Sequence, residues 1–167
     1  MPTLVIIGPP GAGKSTVGAL VAQRLGVDFL DTDHAIEAGE GRSIAEIFIA
    51  DGEGAFRALE QDEVLQAIAE ESGVVALGGG APMDPVIQGA LAGQRVVFLD
   101  VGIADAAKRV GFDTARPLLA VNPRAAWTAL MADRRPVYER LAGFRVDTAG
   151  RSPEEIADEV VAAMSQA

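Results

Sequence analysis

The chain has 167 residues, the size of one ordinary domain, and at 49% hydrophobic it can bury a real core, which excludes disorder. Twenty-four acids against 14 bases give a net charge of −10, which argues against nucleic acid or an anionic membrane as a partner. With no cysteine, disulfides, thiolate metal sites and a Cys nucleophile are excluded. No basic leader precedes the short apolar run at Leu4, and no stretch approaches the roughly 20 apolar residues that span a bilayer, so a cytoplasmic protein is expected. Arginine dominates the scarce bases; the two lysines are Lys14 and Lys108.

Leu4-Val5-Ile6-Ile7 is an unbroken apolar run ended by Gly8, the pattern of a strand buried on both faces of a parallel sheet. A Gly/Pro-rich turn follows. A helix comes next, with Val17, Leu20, Val21 and Leu25 as its apolar stripe and Gly26 as its stop. Phe29-Leu30 predicts a second short strand running into Asp31-Thr32-Asp33. Residues 44–70 predict helix, interrupted near Asp51-Gly52. Val74 to Leu77 is a third strand that enters Gly78-Gly79-Gly80, and Pro82 is expected to start the next helix sharply. Val96 to Leu99 is a fourth strand and Arg145 to Thr148 a weaker fifth. Residues 111–123 carry two prolines and little periodicity, and read as a loop or lid. A last helix has Ser152 as its cap, Pro153 at its first position, Glu155 as the capping-box acid and Ile156, Val160 and Met164 as its stripe. Strands alternating with helices predict a single α/β domain over 1–167, built on a parallel sheet.

Gly8-Pro9-Pro10-Gly11-Ala12-Gly13-Lys14-Ser15 matches G-x-x-x-x-G-K-[ST] in full, between a buried strand and a helix. Such a loop wraps its backbone N–H groups around phosphate oxygens at a helix N-terminus. Lys14 is expected to reach the β- and γ-phosphates and Ser15 to place its hydroxyl on Mg²⁺. The motif identifies a nucleoside triphosphate as a ligand. It does not identify what receives the phosphate.

Further segments bear on the acceptor: L-D-T-D at 30–33, G-R-S-I-A-E-I-F at 41–48, F-R-x-x-E at 56–60, L-G-G-G-A at 77–81, R-P-L-L at 116–119 and R-x-P-x-Y at 134–138. With the phosphate-binding loop, this ordered set resembles the shikimate kinases among the nucleoside monophosphate kinase-like P-loop enzymes, over essentially the whole chain. The resemblance implies a three-layer P-loop NTPase fold, with a five-stranded parallel sheet ordered 2-3-1-4-5 and helices on both faces. It implies an acceptor-binding flap at about 33–60 and a lid at about 111–123. It implies ATP- and Mg²⁺-dependent phosphorylation of the shikimate 3-hydroxyl, on the route to chorismate and the aromatic amino acids.

The resemblance also implies roles. Asp33 orients or deprotonates the attacking hydroxyl, and Arg57 and Arg134 clamp the shikimate carboxylate. Gly78, Gly79 and Gly80 let backbone approach the substrate. Lys14 and Arg116 steady the transferring phosphoryl group, and Ser15 and Asp31 support Mg²⁺. Gly11, Ala12, Gly13, Lys14, Ser15, Thr16 and Arg116 hold the phosphates, and Arg109 and Pro153 flank the adenine. The partners are then ATP and shikimate, acting on a monomer. The chemistry agrees: planar guanidinium suits a carboxylate, and mobile arginines suit the equatorial oxygens of a transferring phosphoryl group.

Each residue alone has a plainer reading. Asp31 and Asp33 also fit a solvated strand-end turn, and Gly78 to Gly80 a flexible connection. Arg135 stands beside Arg134, so spacing leaves the carboxylate ligand ambiguous; the R-x-P-x-Y pattern favours Arg134. His34, the single histidine, reads as a solvated helix-start residue, and Tyr138 as packing. Glu60, three residues after Arg57, is placed to pair with it on one helical face. The rival functions are a gluconate or adenylate kinase-like enzyme and a non-catalytic nucleotide-binding regulator. Because ATP and shikimate are both anions, the resemblance predicts that an acidic chain gathers its few positive charges into one pocket.

Overall fold

The computed structural model describes residues 1–102, 105 and 123–166. Five strands, β1 (Leu4–Ile7), β2 (Phe29–Asp31), β3 (Val74–Ala76), β4 (Val96–Asp100) and β5 (Phe144–Asp147), form one sheet in the order β2-β3-β1-β4-β5. Every neighbouring pair is parallel. In register, Val5 stands between Val75 and Val96, and Ile6 between Ala76 and Val97. β1, β3 and β4 are buried along their whole length, which is why their sequences are continuous apolar runs rather than alternating ones.

Helices cover both faces of the sheet. These are α1 (Lys14–Leu25), α2 (Thr32–Glu40), α3 (Ile44–Asp51), α4 (Glu53–Glu70), α5 (Pro85–Leu91), α6 (Pro123–Leu141) and α7 (Pro153–Gln166). The main core joins the strand side chains to Val17 and Val21 of α1, Val64 of α4, Trp127 and Met131 of α6 and Ile156 and Val160 of α7. A second, smaller core of Ile36, Ile47 and Phe56, with Phe48 stacked 5.0 Å from Phe56, binds α2, α3 and the start of α4 together. This unit occupies the span predicted as the flap.

The local signals hold at most ends. Gly26 closes α1, with its N–H on the Gln23 carbonyl. Ser152 accepts from the Glu155 N–H at 3.2 Å at the head of α7. Ser43 and Glu46 form a reciprocal capping box on α3. Residues 32–40 form the helix that the reading of His34 as a helix-start residue implies, started when the Asp31 side chain accepts the Asp33 and His34 N–H groups. One element differs from expectation. Pro82 lies in a 3₁₀ turn, Ala81–Met83, and the next helix starts at Pro85 with Asp84 as its cap. The cap decides this start: the Asp84 carboxylate takes the Val86 N–H at 2.8 Å, a bond no side chain before Pro82 offers.

Because all strands run the same way, their C-terminal ends lie along one edge of the sheet. The phosphate-loop motif follows β1, Asp31-Thr32-Asp33 spans the β2 end, Gly78-Gly79-Gly80 follows β3, and Asp100 ends β4. Open parallel sheets bind ligands at this edge, where the connections from the central strand diverge.

Candidate active site

The segment Gly8–Ser15 forms the loop its motif predicts. Gly11 and Gly13 adopt φ of 82° and 84°, a region closed to most side chains, and this turns the backbone around the head of α1. Lys14 Nζ donates to the Gly8 and Pro9 carbonyls at 2.8 and 2.9 Å, so its ammonium sits over the loop. Gly11, Ala12, Gly13, Lys14, Ser15 and Thr16 line a cavity of about 490 Å³. Pro153 and Arg151 also line it.

Asp31-Thr32-Asp33 divides three jobs among three residues. Asp31 Oδ1 caps α2, taking the Asp33 N–H at 2.9 Å, while its Oδ2 accepts the Ser15 hydroxyl. Thr32 is fully buried and donates its hydroxyl to the Ala76 carbonyl at 3.3 Å, tying α2 to β3. Asp33 then falls in the first turn of α2, where the helix dipole favours a carboxylate, and lines the cavities on both sides.

The second cavity, of about 320 Å³, is bounded by Asp33, Arg57, Glu60, Gly79, Gly80 and Arg134, with Phe48, Phe56 and Leu130 as apolar wall. Pro10, Ser15, Asp31 and Asp33 line both cavities, so the two adjoin at the phosphate-loop serine and the paired aspartates. Arg57 Nη1 donates to Glu60 Oε1 at 2.7 Å, and its guanidinium lies 5.3 Å from the Phe56 ring centroid. Glu60 is 2% exposed. Burial pushes its carboxyl above the ordinary carboxylate range and the Asp33 charge adds to the rise; Arg57 and Arg134 oppose it without cancelling it.

Arg134 is buried at 8% exposure, yet its side chain makes no hydrogen bond or ion pair with another of the described residues. A buried guanidinium with an open face is a receptor for an anion. Arg135 turns the other way, into an ion pair with Asp100 at 2.6 Å, so of the two neighbouring arginines Arg134 is the one that lines this cavity. Tyr138 is packing with a purpose: fully buried, it donates its hydroxyl to the Gly79 carbonyl at 2.6 Å and so holds the glycine turn against α6. His34 is exposed at the cavity rim.

Lys108, Arg109, Arg116 and the predicted lid up to Pro123, where α6 begins, lie outside the described residues. Sequence reasoning missed Arg151, which donates to the Asp147 carbonyl at 2.9 Å and pairs with Glu159 at 2.8 Å beside the nucleotide-side cavity. Its position one residue ahead of the Ser152-Pro153 helix start was the available signal. Leu130 was missed too; it lies four residues before Arg134 and so on the same face of α6.

The residues fit Mg²⁺. The Ser15 hydroxyl and the Asp31 carboxylate are in contact, hard oxygen donors at the join of the two cavities. No cage of three or more acidic or His ligands occurs among the described residues. That sparse set suits an ion that keeps waters and takes its other oxygens from phosphate.

A family model described as shikimate kinase matches residues 10–165. The shikimate kinase of Thermobifida fusca is 56% identical over 157 residues, spanning 94% of this chain and 91% of its own length. That of Streptomyces coelicolor is 54% identical over 155 residues, spanning 93% and 91%. The structure of shikimate kinase from Acinetobacter baumannii in complex with shikimate matches with a TM-score of 0.94 at 33% identity, over 98% of this chain and 92% of that one. Sequence identity this high along almost the full length joins the geometry to one conclusion: the chain belongs to the shikimate kinase family.

Proposed function

We propose that the two adjoining cavities carry out the family's reaction and that their residues divide the work between donor and acceptor. The enzyme transfers the γ-phosphoryl group of ATP to the 3-hydroxyl of shikimate, giving shikimate 3-phosphate and ADP. ATP phosphates lie on the Gly11–Thr16 loop, with Lys14 leaving the Gly8 and Pro9 carbonyls for the β- and γ-oxygens. Pro153, which lines the larger cavity, bounds the adenine, and the family resemblance assigns Arg109 to the same contact. Shikimate fills the smaller cavity with its carboxylate on Arg57 and Arg134 and its ring against Phe48 and Leu130. The Gly79 and Gly80 backbone approaches its edge, and residues 33–60 act as the acceptor flap.

Asp33 stands where the cavities meet and accepts the 3-hydroxyl proton as that oxygen attacks the γ-phosphorus. The bond from the γ-phosphorus to its bridging oxygen breaks, and ADP leaves. Arg116 supports the charge on the transferring group from the lid. Ser15 and Asp31 hold Mg²⁺, which when bound neutralises the β- and γ-phosphate charge. The enzyme acts as a monomer in the cytoplasm in this reading. No helix among the described residues is long and apolar enough to cross a membrane.

The observation that carries this reading is Arg134, a buried cation aimed into the cavity that adjoins the phosphate loop at Asp33. A gluconate or nucleotide acceptor is the competitor. The test is ADP release with Mg²⁺ and ATP across shikimate, gluconate and AMP. Release dependent on shikimate alone is expected. Faster turnover with gluconate or AMP, or ATP binding with no acceptor-dependent release, overturns it.

A further inference from the structure

Arg134 is carried by a turn that its own helix holds weakly. Pro136 lies inside α6 and has no N–H, so the Ala132 carbonyl loses its i+4 donor and the ring crowds it. Arg134 and Arg135 sit between those two residues. Consecutive helical side chains point about 100° apart, and here the pair takes opposite duties. Arg134 lines the acceptor cavity, whereas Arg135 Nη1 donates to Asp100 Oδ2 at 2.6 Å. The Arg135 guanidinium also lies 5.8 Å from the centroid of Phe98, the ring on which Tyr138 packs at 5.1 Å.

Asp100 is a firm anchor. It ends β4 in register with Asp147 of β5, and its carbonyl accepts both the N–H and the hydroxyl of Thr148, at 2.9 and 2.7 Å. It is 7% exposed, and its Oδ2 also takes Arg145 Nη1 from β5 at 2.7 Å. Its Oδ1 is buried with no hydrogen-bond partner among the described residues, so the two guanidiniums carry the compensation of its charge.

We propose that Asp100 is a positioning residue for acceptor binding: through Arg135 it fixes the rotation of the α6 turn at the proline break, so that Arg134 faces the shikimate carboxylate. Tyr138, on the Gly79 carbonyl, holds the same helix on the far side of the break. The turn bearing Arg134 is thereby pinned on both sides by side chains where its backbone bond is missing. This explains the spacing of R-x-P-x-Y in this chain: ligand, clasp, break and second anchor. The inference rests on Arg134 as the carboxylate ligand.

Arg145 supplies the internal control, since it pairs with the same Asp100 oxygen but leaves α6 alone. The experiment measures KM for shikimate, KM for ATP, kcat and Tm in Arg135→Met, Arg135→Lys, Arg145→Met and Arg134→Ala. Arg135→Met is expected to raise the shikimate KM about five- to twentyfold, with kcat and the ATP KM within about twofold. Arg135→Lys, which keeps the ion pair, is expected to stay within about threefold of wild type. Arg145→Met is expected to lower Tm without moving the shikimate KM. Should Arg135→Met fail to fold, Asp100→Asn is expected to give the same split. An unchanged shikimate KM in Arg135→Met, or an equal rise in Arg145→Met, overturns the clasp. Wild-type shikimate affinity in Arg134→Ala overturns instead the ligand assignment on which it rests.

Discussion

The glycine turn after β3 offers a sharp test, because two of its positions touch different halves of the chemistry. A methyl built on Gly80 falls 2.5, 2.6 and 2.8 Å from Nη1, Nη2 and Cζ of Arg57. Gly80 has φ −91° and ψ −11°, so alanine suits the backbone, and the unfolded chain loses entropy to the same substitution. Gly80→Ala is therefore expected to leave Tm unchanged or slightly raised.

The guanidinium must retreat by roughly 1 Å to reach ordinary contact, enough to take a 2.7 Å bond outside hydrogen-bonding range. It then gives up either Glu60 or its aim into the acceptor cavity. Losing a charge-assisted hydrogen bond costs about 1.5–3 kcal/mol, or about 10- to 150-fold in the shikimate KM. A methyl on Gly78 instead falls 2.6 Å from Asp33 Oδ1 and 3.0 Å from Glu60 Oε2, so Gly78→Ala is expected to act mainly on kcat. Steady-state kinetics with shikimate varied at saturating ATP, beside a thermal melt, separates the two. Normal shikimate KM in Gly80→Ala, or a KM rise matched by a collapse in Tm, would refute the reasoning.

Three further outcomes are expected. Asp33→Asn lowers kcat by about 10²- to 10⁴-fold while ATP titrates normally; undiminished turnover removes Asp33 from the mechanism. Arg57→Ala and Arg134→Ala each cost about 2–4 kcal/mol in shikimate binding, read by equilibrium titration, and normal affinity in both sinks the clamp. Asp100 governs acid stability. Burial, the largest single influence, pushes its carboxyl up, but the bonds and charges of Arg135 and Arg145 together outweigh it and hold it below its ordinary 3.8. Its contribution is complete above the unfolded value and is lost as pH falls through the lower folded one. Urea unfolding of Asp100→Asn should accordingly show lower stability near neutral pH and a flatter loss below about pH 4; an acid limb as steep as wild type would count against the ion pair.

The phosphate-binding loop, the five strands and the ends marked by Gly26 and Ser152 were legible in the sequence because each is a local matter. Left-handed glycines, an apolar run or a Ser-x-x-Glu pair act within a few residues, whatever the rest of the chain does. The acceptor motifs are likewise short stretches of sequence, and it is their resemblance to the shikimate kinases that points to a carboxylated polyol before any contact is known. Of the five bases expected to gather at the site, Lys14, Arg57 and Arg134 border the two adjoining cavities, and Arg109 and Arg116 lie outside the described residues.

Tertiary structure decided what those residues touch. Spacing could not choose between Arg134 and Arg135, because the choice is the docking rotation of α6, set by Asp100 at 35 residues' distance and by Gly79 at 59 from Tyr138. Nor did it show what holds α2, whose start it placed near His34: the helix is started by Asp31 and tied to β3 by Thr32. Asp31 at once caps that helix and accepts the Ser15 hydroxyl, and only the packed sheet edge makes one side chain reach both. Sequence determines which chemistry the chain carries; burial across distant strands determines which atoms face it.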